Sequence, residues 1–170
     1  IEKPKIIPKD FKIYNDILDD CIGVTEEPDG ILQTEYKKAL INFIKDRTIP
    51  PDFKVFIAWK GEYKGRIIIP IFYNNNIIYF QGRSLEPNPD KKYKNPPVTK
   101  ENIVYNENNF QKDKYIIITE GLLDAAMIHN QGTSALGLEI SDEFIQRLLA
   151  LTDTGVIISL DADKPGREAL

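Results

Sequence analysis

Two stretches near the C-terminal end decide how this chain is read. The first is Tyr115-Ile116-Ile117-Ile118-Thr119-Glu120-Gly121, followed by Asp124. The second is Gly155-Val156-Ile157-Ile158-Ser159-Leu160-Asp161-Ala162-Asp163, followed by Pro165 and Gly166. Each is a short apolar run rich in β-branched residues, the pattern of a buried strand, and each ends in acids. Between them, Leu122 to Gln131 has helical spacing, with Leu122, Ala125, Ala126 and Ile128 apolar. Thr133 to Leu136 reads as a short strand. Ser141 is a good N-cap for a helix with Phe144, Ile145, Leu148 and Leu149 on one face. Pro165 suits the first turn of a last helix. This alternation predicts a parallel sheet with right-handed crossovers.

In open parallel sheets, ligands bind beyond the C-terminal ends of the strands. If the two acid-ended strands are neighbours, Glu120, Asp161 and Asp163 converge on one point. Three carboxylates that close repel each other unless a cation lies between them. Oxygen-only ligands suit Mg²⁺ or Mn²⁺, with waters and substrate phosphates completing the shell. Such a site promotes phosphoryl or nucleotidyl transfer. Gly121 is expected to let the chain turn sharply after Glu120. Gly166 is expected to let the following helix start close to a ligand, where free N–H groups favour a phosphate.

Upstream the period changes. Arg66 to Phe72 and Ile77 to Phe80 are β-branched and aromatic, with Asn74-Asn75-Asn76 between them, which predicts a β-hairpin. Pro70 inside the first run argues for an edge strand or a bulge. Residues 84–100 hold Pro87, Pro89, Pro96 and Pro97 among lysines and read as loop. Further back, Tyr36, Leu40, Phe43 and Ile44 place an amphipathic helix over Gln33 to Lys45. Pro50-Pro51 ends it and leads into Phe53, Val55, Phe56 and Trp59. Pro28-Asp29-Gly30 marks a loop, residues 16–22 a short helical turn, and residues 1–15, with Pro4 and Pro8, an extended arm.

Charge is unevenly spread over the 170 residues, whose net charge is −4. Residues 1–53 carry −3, residues 54–114 carry +5, and residues 115–170 carry −6. The middle can attract phosphates and the last part divalent cations. The single cysteine, Cys21, excludes an internal disulfide and a multi-cysteine zinc ribbon within this segment. No run of about 18 apolar residues is present, and the charged, Pro-rich start is unlike a signal peptide. A cytoplasmic protein with no membrane partner is expected. The chain opens on Ile1 and closes just behind the second acidic motif, so it is expected to be an excerpt of a longer protein.

A lone DxD at a strand end is commonly a loop or a helix cap. Strand–EGxxD–helix together with strand–DxDxxG–helix, about forty residues later, is far more specific. Over residues 113–170 the chain closely resembles the TOPRIM domains of DnaG-type primases, topoisomerases, OLD-family nucleases, RecR proteins and RNase M5-like nucleases. The resemblance implies that Glu120 is the general acid/base, that Asp161 and Asp163 bind Mg²⁺, and that Asp124 supports them.

The upstream residues choose among these activities. Gly65-Arg66-Ile67-Ile68-Ile69-Pro70-Ile71, the Asn-rich turn, and Phe80-Gln81-Gly82-Arg83 resemble the DnaG-type primase core just before TOPRIM. Lys92-Tyr93-Lys94-Asn95 is similar to its "K-Y-x-N" segment, and Ala39 to Phe53 is similar to the part ahead of it. Pro96 stands where that family commonly has Ser, and Leu138-Glu139-Ile140-Ser141 lacks its small-polar run. Physically, Arg66, Arg83, Lys92 and Lys94 can bind phosphates, Tyr93 can stack on a base, and Asn95 can hydrogen-bond to backbone or base edges.

The expected fold is therefore an α+β primase-core subdomain with an antiparallel hairpin, then an α/β TOPRIM domain with a parallel, helix-flanked sheet, incomplete at its end. Its divisions are an arm or linker at 1–33, a basic nucleic-acid-binding part at 34–112 and a metal-binding part at 113–170. The expected activity is synthesis of short RNA primers on single-stranded DNA from NTPs with Mg²⁺ or Mn²⁺. The expected partners are the template, the RNA primer and a replicative helicase. A TOPRIM nuclease or topoisomerase, and a non-catalytic nucleic-acid-binding module, are the rival readings. The Lys/Asn/Ile-rich hairpin and basic region is what an AT-rich genome, a phage's among them, produces. His129, lacking a second His or Cys nearby, reads as a surface or packing residue, and Cys21 as a small buried apolar one. Trp59, Phe53 and Phe56, with Tyr63, Tyr73 and Tyr79, read as packing residues.

Overall fold

The computed structural model describes residues 11–162. They form two compact units, one over Lys12–Val98 and one whose described part runs mainly from Thr99 onward.

The first unit is built on a five-stranded antiparallel sheet in sequential order: β1 (Cys21–Ile22), β2 (Phe56–Ala58), β3 (Arg66–Tyr73), β4 (Asn76–Ser84) and β5 (Tyr93–Lys94). The predicted hairpin is β3–β4. Tyr73 pairs with Asn76, leaving a two-residue loop. Asn74 (φ 48°) and Asn75 (φ 65°) both adopt left-handed conformations, as a type I′ turn requires and as Asn tolerates. Pro70 lies on neither edge strand of the sheet. β2 pairs only with Ile67 and Ile68, so Pro70 meets no β2 residue, and the β3–β4 register shifts just after it, between Ile71 and Phe72. Ile67 to Ile71 are buried on both faces of the strand, which explains a run that does not alternate.

A helix, α1 (Ile31–Asp46), packs on β1 and β2 with Leu40 and Phe43 buried. Residues 14–22 are built into this unit and do not act as a linker. Tyr14 donates its N–H to the Ile77 carbonyl (2.8 Å), and the Asn15 side chain accepts from the Ile77 N–H (2.8 Å). Ile17 and Cys21 then enter a core with Ala58, Tyr63, Ile68, Ile77 and Phe80. Tyr63, in the turn before β3, and Tyr14 meet the Phe80 ring edge-on at 4.9 and 5.9 Å, so Tyr63 packs as expected. The Cys21 thiol donates to the Ile17 carbonyl (3.2 Å). Burial, with Asp20 and Glu26 beside it, pushes that thiol up to about 12.

The second unit holds a three-stranded parallel sheet in the order β7–β6–β8. Here β6 is Ile116–Thr119, β7 is Gly132–Ser134 and β8 is Val156–Ser159, with α2 (Leu122–Ala126) and α3 (Asp142–Leu149) between them. Ser141 caps α3, its hydroxyl accepting from the Phe144 N–H (3.1 Å), and Phe144 and Leu148 join Val104, Ile116 and Ile118 in the core. Val104 comes from residues 99–112, which belong to this unit and not to the basic one.

Two expectations change here. The helix after Glu120 stops at Ala126 and gives way to a short 3₁₀ turn, His129–Gln131. His129 is left-handed (φ 51°), and a Cβ on Gly132 would overlap the Ala125 carbonyl oxygen. The Asn106 amide donates to the carbonyls of His129 (3.0 Å) and Gly132 (2.9 Å), holding the 3₁₀ turn and the start of β7. The second acidic strand, expected to be buried, is an edge strand among the described residues: Ile157 is 43% and Ile158 40% exposed. The last predicted helix, with Pro165, lies outside the described residues.

Candidate functional sites

Each unit carries one cluster of predicted site residues. In the parallel sheet, β6 and β8 are direct neighbours, in register from Ile116↔Val156 to Thr119↔Ser159. Glu120 and Asp161 therefore leave the sheet side by side at the same strand-end edge. A Glu120 carboxylate oxygen accepts the backbone N–H of Asp161 at 3.3 Å, and both residues are solvent-exposed. The backbone beneath them is fixed from β7: the Ser134 hydroxyl donates to the Glu120 carbonyl (3.0 Å), and the Thr119 hydroxyl lies 2.9 Å from the Gly121 carbonyl and 3.2 Å from that of Thr133. Thr119 and Ser134 are buried hydroxyls that sequence reasoning missed. For Thr119 the one signal is a polar residue at the last position of an apolar strand; Ser134, in a Gly-Thr-Ser strand, has none.

Gly121 has an extended backbone (φ −114°), open to any residue, so the expected sharp turn is absent. A Cβ there would come within 3.3 Å of the Asp124 carboxylate, which makes close approach the local reason for a small residue. This folds Asp124 back toward the strand end that carries Glu120. Asp163 and Gly166 lie outside the described residues. Among the described residues no three metal-ligating side chains cluster.

The basic cluster sits on the β4–β5 seam. The motif ending in Gly82-Arg83 and the motif Lys92 to Asn95, separated by a Pro-rich loop, pair directly as Gly82↔Lys94 and Arg83↔Tyr93. The Ser84 N–H donates to the Lys92 carbonyl (2.8 Å). Gly82 makes this seam possible, because a Cβ there would come 2.6 Å from the Lys94 carbonyl oxygen. A glycine inside a strand is the sequence signal for such an approach. Arg83 donates to the Tyr93 hydroxyl (3.0 Å), and Arg83 and Lys92 lie 5.7 and 5.8 Å from the Tyr93 ring centre. Lys94 is held by the Glu62 carboxylate (3.0 Å) and lies 5.0 Å from the Tyr63 ring centre, whereas Lys92 is exposed. Arg66 turns its guanidinium onto main-chain carbonyls: Gly82 (3.1 Å), Lys92 (3.3 Å) and Lys91 (3.0 Å). The Asn95 side-chain Oδ1 and the Tyr79 hydroxyl are both buried, and neither meets hydrogen-bond geometry among the described residues. Burial pushes the Tyr79 phenol up, and Asn95 opposes part of that rise.

Solved DnaG catalytic cores share this fold. One such core superposes with a TM-score of 0.67 at 20% identity, covering 81% of this chain and 59% of its own. A DnaG primase catalytic domain bound to single-stranded DNA gives 0.67 at 21% identity, covering 81% and 60%. At that identity the likeness concerns the fold.

The sequence relatives are DNA primases. The chain is 33% identical to the DNA primase of Campylobacter jejuni over 117 residues, 61% of this chain and 19% of that protein. It is 31% identical to that of Helicobacter pylori strain 26695 over 121 residues, 64% and 21%. The chain thus spans about a fifth of the length of these curated relatives. No protein-family profile matches it. The resemblance to a DnaG-type primase core holds in sequence and in fold.

Proposed function

We propose that this chain is part of the catalytic region of a primase that makes short RNA primers on single-stranded DNA by metal-assisted nucleotidyl transfer. The observation that carries the reading is the juxtaposition of Glu120 and Asp161 at neighbouring strand ends, with the Asp161 N–H 3.3 Å from the Glu120 carboxylate. Oxygen donors alone, at an exposed edge, fit a hard divalent cation such as Mg²⁺ or Mn²⁺. Asp161 and Asp163 would hold it, with Glu120 beside them. When bound, the cation supplies charge stabilisation to the triphosphate. Glu120 is placed to take a proton from the attacking 3′-hydroxyl, and Asp124 supports it from the first turn of α2. The β4–β5 seam presents Lys92 and Tyr93 to phosphates and bases of the template, the primer or an incoming NTP, with Arg83, Lys94 and Asn95 behind them.

The region 113–170 is best read as a TOPRIM domain, since both acid-ended strands lie next to each other and parallel. The seam of Gly82-Arg83 with Tyr93-Lys94 favours primer synthesis over the nuclease and topoisomerase chemistry that TOPRIM acids also perform, and over a non-catalytic binding role. A cytoplasmic site of action at the replication fork, with a replicative helicase as partner, belongs to the same proposal. No helix among the described residues is long and apolar enough to cross a membrane. The test uses the full-length protein with a single-stranded DNA template, NTPs and Mg²⁺. A primase builds oligoribonucleotides, a nuclease shortens the DNA, and a binding module does neither.

A further inference from the structure

We infer that Arg66 is a positioning residue: it clamps the Lys91–Asn95 segment onto the hairpin, and nucleic acid is contacted by Lys92 and Tyr93, not by Arg66. The inference deepens the reading of this seam as a nucleic-acid surface and rests on it. An arginine in a basic cluster is ordinarily counted as a phosphate ligand. Here the guanidinium has another job. One of its terminal nitrogens lies 3.1 Å from the Gly82 carbonyl of β4 and 3.3 Å from that of Lys92, and the other lies 3.0 Å from that of Lys91. One planar fork thus ties β4 to the Lys91–Lys92 segment that leads into β5, beside the main-chain bonds of the seam.

The surroundings point the same way. β5 is only two residues long, too short to hold itself on the sheet. Its seam needs Gly82 bare, because a Cβ there would come 2.6 Å from the Lys94 carbonyl oxygen and 3.1 Å from the Tyr63 ring. Lys94 is anchored to Glu62 (3.0 Å), so its charge is already matched. Lys92 carries its main chain into the clamp and its exposed side chain away from it, within 5.8 Å of the Tyr93 ring centre. The segment is therefore held by its backbone and by Arg66, which frees a lysine and an aromatic ring for a ligand. Lysine cannot replace this arginine, since an ammonium is a point charge and cannot fork across three carbonyls.

The experiment uses the full-length protein and a fluorescein-labelled single-stranded DNA oligonucleotide, titrated over a range of salt, with hydrogen–deuterium exchange of the Ser84 amide as the reporter of the seam. Exchange over residues 116–119 checks that the other unit remains folded. Arg66→Lys and Arg66→Ala should each speed Ser84 exchange and weaken binding about tenfold, the size expected for losing charge-assisted hydrogen bonds. The loss should be the same factor at every salt concentration. Lys92→Ala should leave Ser84 exchange at the wild-type rate and reduce the salt slope by about 0.7, the loss of one single-strand phosphate contact. The inference is overturned if Arg66→Lys leaves both Ser84 exchange and binding as in the wild type, or if Arg66→Ala reduces the slope in the same way as Lys92→Ala while Ser84 exchange is unchanged. If the Arg66 variants loosen the seam but neither they nor Lys92→Ala alters DNA binding, the clamp stands and the nucleic-acid reading of the seam is what fails.

Discussion

The basic seam and the acidic edge are built by opposite means. At the seam, cations are held by neutral or opposite partners: Arg66 by carbonyls, Lys94 by Glu62, and Arg83 by the Tyr93 hydroxyl. It is a surface assembled before any ligand arrives. At the acidic edge the backbone is fixed by Ser134 and Thr119, and the exposed Glu120 carboxylate accepts the Asp161 N–H. Exposed carboxylates at neighbouring strand ends suit a cation. On the proposed function the contrast is a division of labour: the seam would hold a polyanion and the acidic edge a metal.

That contrast can be broken at several points. Asp161→Asn in the full-length protein should lower primer synthesis at least about a hundredfold, the scale for losing electrostatic stabilisation of a transition state, with the fold intact. Synthesis at the wild-type rate would remove the acidic half of the comparison. Leu148→Ala, in the core under the parallel sheet, should cost about 2–5 kcal/mol in denaturant unfolding, because that side chain is fully buried. Gly82→Ala should weaken DNA binding while leaving the parallel unit's hydrogen exchange unchanged, since the added Cβ forces β5 off β4. Ser141→Ala should cost about 1 kcal/mol through the lost cap on α3.

The smallest effect is in alkali. The Cys21 thiol is pushed up to about 12 from an ordinary 9.0, so folding favours its neutral form. The stability this contributes is full below pH 9.0 and is lost as the pH rises toward about 12. The difference in stability between wild type and Cys21→Ala should shrink over that window. The thiol should also resist iodoacetamide until the protein unfolds.

Much of this was legible before any coordinates. The Asn74-Asn75 turn, the Ser141 cap and the parallel pairing of two acid-ended strands follow from local chemistry, because left-handed Asn, an N-cap hydroxyl and β-branched runs act within a few residues. What was not legible depends on distant partners. The 3₁₀ turn that replaces the expected helix over His129–Gln131 is held by Asn106 reaching the carbonyls of His129 and Gly132, and nothing in the helical period announces it. The place of Arg66 depends on a loop that returns after a Pro-rich excursion, so its charge was visible and its role was not. The exposure of β8 was hidden because an apolar run has the same sequence at the edge of a sheet as at its centre. Asp163 and Gly166 were read from the motif and lie outside the described residues.

The most direct measurement sets the two halves of the comparison against each other in one protein. Full-length protein carrying Glu120→Gln is assayed on a single-stranded DNA template with NTPs and Mg²⁺, for oligoribonucleotide synthesis and for template binding. The account predicts that synthesis is lost while DNA binding stays at the wild-type level. Primer synthesis at the wild-type rate by that variant would contradict it.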